Sequence, residues 1–191
     1  MLAALSNSKA LWYLARGTGL VTLILLTGTV LLGIVAAKRW TSRQWPRFVT
    51  VGLHKNLSLL AVALLAVHIG TVVADSYVHI SWFNAFVPFT GAYRPMWLGL
   101  GAVAGDLLIA LIITSLLRKR VGYRVWRAVH WLAYACWPSA VLHGLTIGSD
   151  RRSTWALGVT YGCIAAVGAA ALWRAAMPRL APRPSAVGAR P

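Results

Sequence analysis

Five apolar stretches dominate the chain, at residues 17–37, 57–74, 96–117, 128–149 and 153–173, and they hold almost no charge. Each meets the ~18–20 residues that a helix needs to cross a bilayer. A backbone amide left unbonded in lipid costs several kcal/mol, and strands would show ~10-residue alternation instead, so segments of this length must be helical. The sequence therefore predicts an all-α integral membrane protein, a bundle of five transmembrane helices spanning about 13–37, 50–74, 96–117, 125–148 and 153–174. The alternative for the first block is a cleaved leader with Lys9 and Arg16 as its basic region. Its apolar run exceeds the ~7–15 residues of a leader, and Lys38 and Arg39 close it as a stop-transfer would.

A net charge of +16 suits a nucleic-acid binder until the charges are placed, and they lie between the apolar blocks. Lys38, Arg39, Arg43, Arg47, Arg118, Lys119, Arg120, Arg124, Arg127, Arg174, Arg179, Arg183 and Arg190 fall on one side. Lys9, Arg16, Arg94, Arg151 and Arg152 fall on the other, and Lys55 sits just inside the second span. Basic loops are retained in the cytoplasm, so the N-terminus is expected outside and the C-terminus inside. Asp75 and Asp150 mark external ends but weigh little. Trp12, Trp40, Trp45, Trp82, Trp97, Trp126, Trp155 and Trp173 fall near span ends, where amphipathic rings collect, while Trp131 and Trp137 lie inside the fourth span.

The organisation expected is an external N-terminus at 1–9, one transmembrane domain over 10–175 and a disordered basic cytoplasmic tail at 176–191, rich in Pro and Arg. Cys136 and Cys163 lie within spans, so no disulfide framework is implied. No Gly-rich phosphate loop occurs, and nucleotide or flavin chemistry would have to come from a partner. The external connection at 75–95 carries Val78, Ile80, Trp82, Phe83, Phe86, Val87 and Phe89, which suit a short amphipathic segment folded over the outer face. It either seals the bundle or covers something buried beneath.

Histidines carry the functional information, because an imidazole in hydrocarbon is costly. His54 and His68 fall in the second span and His130 and His143 in the fourth, both spans running from inside to outside. Intervals of fourteen and thirteen residues correspond to rises of ~21 and ~20 Å, so the four form an inner pair, His54 with His130, and an outer pair, His68 with His143. Matched pairs at two depths are the ligand set of two bis-His haems stacked across a membrane, each needing two axial nitrogens from facing helices. One Zn or di-iron site cannot use ligands ~20 Å apart, and the carboxylates of a proton relay are missing apart from Asp106. The plain alternative is four solitary hydrogen-bonded histidines in the packing. Thirteen ideal residues also fall ~140° short of four turns, so His130 and His143 share a face only if the helix is locally rewound, for which Pro138 is the candidate, or else the haems are offset sideways.

The sequence resembles the ferric-reductase-like transmembrane domain, shared by membrane ferric reductases, NADPH oxidases and the haem-binding membrane subunit of a bacterial methionine sulfoxide reductase system. The likeness rests on the two His intervals, on Tyr13-Leu-Ala-Arg-Gly-Thr-Gly19, His54-Lys-Asn-Leu-Ser58 and Ala92-Tyr-Arg-Pro95, and on His130-Trp-Leu-Ala-Tyr134 with Trp137-Pro138 and His143-Gly144. It covers roughly residues 10–175 and resembles actinobacterial members most. It implies two haem b groups on the four His and an oxidoreductase component that needs a partner for substrate chemistry. Electrons would pass from a cytoplasmic flavoprotein reductase or flavin-binding protein to an external acceptor. Rivals are a quinol- or quinone-linked cytochrome b, a haem-free membrane scaffold or transporter subunit, and an oxidase acting directly on oxygen.

Lesser candidates have two readings. Arg127, Arg124 and Lys55 at the inner depth, and Arg94 at the outer, either pair with haem propionates or only set topology. His79 is either a solvated interfacial residue or a group of the acceptor site. Asp106 either handles protons or bonds a neighbouring helix or Arg16. Gly28, Gly33, Gly99, Gly101 and Gly105 are read as close helix packing.

Overall fold

The computed structural model describes residues 9–38, 45–76, 78–147 and 153–176, and every regular element among them is a helix. They run α1 (Lys9–Ala37), α2 (Arg47–Ala74), α3 (Trp82–Phe86), α4 (Pro95–Leu116), α5 (Arg118–Val121), α6 (Tyr123–His130), α7 (Ala133–Ile147) and α8 (Thr154–Ala176). Four of them, α1, α2, α4 and α8, are long and apolar enough to cross a membrane. The expected N-terminal and tail segments, and the basic residues Arg39, Arg43, Arg151, Arg152, Arg179, Arg183 and Arg190, lie outside the described residues apart from the edges at Lys9 and Ala176.

The fourth predicted span is not one helix. It is α6 and α7, separated by a turn at Trp131 and Leu132. There the amides of Leu132, Tyr134 and Ala135 bond three residues back, to Val129, Trp131 and Leu132. Each residue wound this way turns ~20° further than an α-helical one, so the rewinding expected near Pro138 falls about two turns earlier. Pro138 itself sits inside α7, where it can donate nothing to the Tyr134 carbonyl.

Helices pair antiparallel, α1 with α2 and α4 with α7, while α8 packs mainly on α1. The α6–α7 segment follows α4 along its length. Arg94 donates to the Thr146 carbonyl at 2.7 Å, Cys136 Sγ to that of Ala104 at 3.3 Å and Trp126 Nε1 to Ser115 at 3.2 Å. Between the two pairs a core of Leu26, Ala61, Leu108, Leu111 and Cys136 closes the centre. Trp137 packs against it and donates to the Thr27 hydroxyl at 3.0 Å. Ala61, midway in sequence between His54 and His68, is fully buried there, so apolar packing separates the two histidine depths.

Outside α2, the connection to α4 folds as expected into a short amphipathic cover. Ser81 caps α3 in a reciprocal box with Asn84, and Trp82, Phe83 and Phe86 are exposed. Phe89 takes a left-handed backbone (φ 67°) and lies so close to Gly99 that any side chain there would collide with it.

Candidate functional site

His54 and His68 project from α2, His130 from the last turn of α6 and His143 from α7. At the inner depth the His54 and His130 rings face each other with centroids 6.2 Å apart and planes 59° apart. Two imidazole–metal bonds of ~2.0–2.1 Å plus the ring radii total about 6.3 Å, so the spacing fits one metal ion held between the rings.

At the outer depth His68 and His143 line one cavity of about 360 Å³, walled by α1, α2, α4, α7 and α8. Leu26, Leu65 and Leu108 line it from the central core, and Val78, Ile80, Asn84, Ala85 and Tyr93 bring the connection between α2 and α4 into its wall. The segment therefore forms part of the wall of this cavity.

Three of the four imidazoles are tethered through Nδ1 to main-chain carbonyls: His54 to Thr29 at 3.0 Å, His68 to Ala15 at 2.7 Å and His143 to Trp97 at 2.8 Å. A carbonyl can only accept, so each Nδ1 carries the proton and Nε2 keeps its lone pair. Such a bond on the remote nitrogen is how proteins orient a metal-ligating imidazole. The donor set thus fits two bis-imidazole iron sites. No cluster of three or more His, Cys, Asp or Glu occurs among the described residues.

Glycines make room for these rings. A Cβ on Gly19 would lie 2.9 Å from His68, one on Gly101 2.5 Å from His143, and one on Gly33 3.5 Å from His54. Of the glycines read as helix packing, Gly101 also leaves the room that the His143 ring occupies, while Gly33 stands at ordinary contact distance from His54. The signal was present, since Gly19 and Gly33 are separated by the same fourteen residues as His54 and His68 on the neighbouring antiparallel helix.

The charged candidates separate. Arg94 is spent on the Thr146 carbonyl and does not line the cavity, whereas Arg16, overlooked as a site residue, does line it, with its guanidinium 3.8 Å from the Trp12 ring centroid. Arg124, Arg127 and Lys55 are exposed near the inner pair, with Arg127 3.5 Å from the Tyr123 hydroxyl. Arg118 stands closer, over the ring of Trp126, which stacks on His130 at 4.9 Å. His79 is exposed with a left-handed backbone (φ 50°) and lies outside the cavity lining, although its neighbours Val78 and Ile80 are part of it. Asp106 makes no hydrogen bond or ion pair with another described residue.

Four helices long and apolar enough to cross a membrane make this a multi-pass membrane protein. The chain matches the family described as "Ferric reductase like transmembrane component" over residues 18–145, about two thirds of its length, and belongs to that family. No curated protein and no solved structure matches it.

Proposed function

We propose that the protein is a transmembrane cytochrome b with two bis-His haems, the inner on His54 and His130 and the outer on His68 and His143. The observation that carries this reading is the set of four imidazoles at two depths, three of them with Nδ1 held on carbonyls so that Nε2 is the nitrogen left to bind iron. Bound haem supplies one-electron chemistry at each depth. The chain's own part is to orient the rings and keep the two depths apart with the Ala61 core.

The α6–α7 segment is read as the fourth of five crossings, because it accompanies α4 from Trp97 to Ser115. With the basic loops inside, the N-terminus is then external and the C-terminus cytoplasmic. A cytoplasmic flavoprotein is the proposed donor and the acceptor is external. What supports this direction is the exposed basic run Arg118, Lys119, Arg120, Arg124 and Arg127 beside the inner pair, suited to an acidic partner.

Purified protein is expected to carry about two haem b per chain by pyridine haemochrome against a protein assay, as two separate ligand pairs require. A colourless protein overturns the reading, and one haem per chain reduces it to a single working pair. Direction has its own test. Inverted vesicles should accept electrons from a flavin reductase faster than right-side-out ones, with a rate that falls steeply between 0.1 M and 1 M salt as the Debye length shrinks from ~10 to ~3 Å. If added quinol outcompetes every flavin donor, the quinone-linked cytochrome replaces this model.

A further inference from the structure

The four imidazoles are not equivalent. His54, His68 and His143 each hold Nδ1 on a carbonyl, but His130 Nδ1 is buried with no hydrogen-bond partner among the described residues. Helix register explains the gap. On α4, Trp97 receives His143 and Ala104 receives Cys136, seven residues on along both helices. Six residues further the same register would lead His130 to Ala110, but no bond to that carbonyl is made. The turn at Trp131 and Leu132 also carries α6 off the α7 ladder.

In place of a carbonyl, His130 has an aromatic ring backed by a cation. Trp126 stacks on it at 4.9 Å with planes 26° apart, and the Arg118 guanidinium stands 4.2 Å from the Trp126 centroid. A carbonyl on Nδ1 pushes electron density through the ring and makes Nε2 a stronger donor, which favours ferric over ferrous iron. Lacking that bond, and with a positive charge nearby, the inner pair favours the ferric state less.

Resting on the bis-haem reading above, we infer that the inner site, His54 with His130, has the higher reduction potential and the weaker ferric affinity. The outer site, His68 with His143, is the low-potential site. Loss of an outer-shell partner of a ligating His typically costs 10–100-fold in metal affinity. Each tenfold that falls on the ferric state alone raises a one-electron midpoint by about 59 mV. Electrons entering from the inner face then pause at the inner site, and the outward step is the one that a membrane voltage, negative inside, assists. Arg118 is a positioning residue here, since it acts on the ligand through Trp126.

The test is a spectroscopically monitored redox titration of the full chain in detergent, as wild type, Arg118→Gln and Arg118→Lys. The wild type should show two waves. Arg118→Gln should shift the higher wave to lower potential and leave the other in place, and Arg118→Lys should restore the wild-type position. His68→Ala should retain the higher wave alone; if that variant does not assemble, the Arg118 pair assigns the waves by itself. A haem-scavenging apoprotein should strip the ferric inner site 10–100-fold more readily than the outer. Coincident waves, a lower wave that moves with Arg118, or an upper wave that ignores it would each overturn the inference while leaving the bis-haem reading intact. Wild-type protein without haem would overturn both.

Discussion

His68→Ala or His143→Ala is expected to yield protein with about one haem per chain, the inner one, and His54→Ala or His130→Ala to yield the converse. The pairing follows from two observations. His54 faces His130 at 6.2 Å, and His68 shares its cavity with His143. Loss at one depth should spare the other, because Leu26, Ala61, Leu108, Leu111 and Cys136 pack between them without help from either pair. Two ligands of one iron act as a unit, so the double variant His68→Ala/His143→Ala should lose no more haem than either single one. Haem stoichiometry and the low-spin spectrum read this directly. If His54→Ala removed the outer haem, the pairing would be wrong.

Glycine variants should show the next largest effect, and in a definite order. A Cβ at Gly101 would meet the His143 ring at 2.5 Å, and that ring cannot yield without leaving the Trp97 carbonyl that holds it. Gly101→Ala is therefore expected to cost outer-haem affinity about 10–100-fold, the usual effect of losing an orienting hydrogen bond on a ligating imidazole. Gly19→Ala, at 2.9 Å from His68, should cost less, and Gly33→Ala, at an ordinary 3.5 Å from His54, should leave both haems in place. Retention on dilution of the haem beside each glycine, outer for Gly101 and Gly19 and inner for Gly33, measured against wild type, ranks the three. Equal effects at all three positions would mean that the glycines serve backbone packing alone. Gly28→Ala is a control for packing, since its Cβ would meet only the flexible end of Leu57, at 3.0 Å.

Much of this molecule was legible before any coordinates. Apolar runs of this length must be helices because lipid offers the backbone no other partner, and that settled the all-α class and the membrane. A fixed rise per residue placed His54 and His68 at two depths and gave His130 and His143 nearly the same separation. The cover over the outer face was visible in the apolar residues around Trp82 and Phe89. Helical azimuth was not legible, because it depends on local winding. The ~140° shortfall between His130 and His143 is lessened at Trp131 and Leu132, where bonding shifts from four residues back to three, well before the proline that drew attention to it.

The orienting shell was invisible for another reason. Its acceptors are the carbonyls of Ala15, Thr29 and Trp97, atoms that every residue type possesses, so no side-chain pattern can announce them. The clearance at Gly19 and Gly101 needed the register between helices, and the exchange of Arg94 for Arg16 at the outer cavity needed to know that Arg94 is spent on Thr146. What the sequence determined by itself is whatever follows from one helix in lipid: helical class, membrane location and the relative depth of its histidines. What only the tertiary structure decided is which atoms of neighbouring helices meet those histidines, because register and rotation between helices are set by packing across the whole bundle.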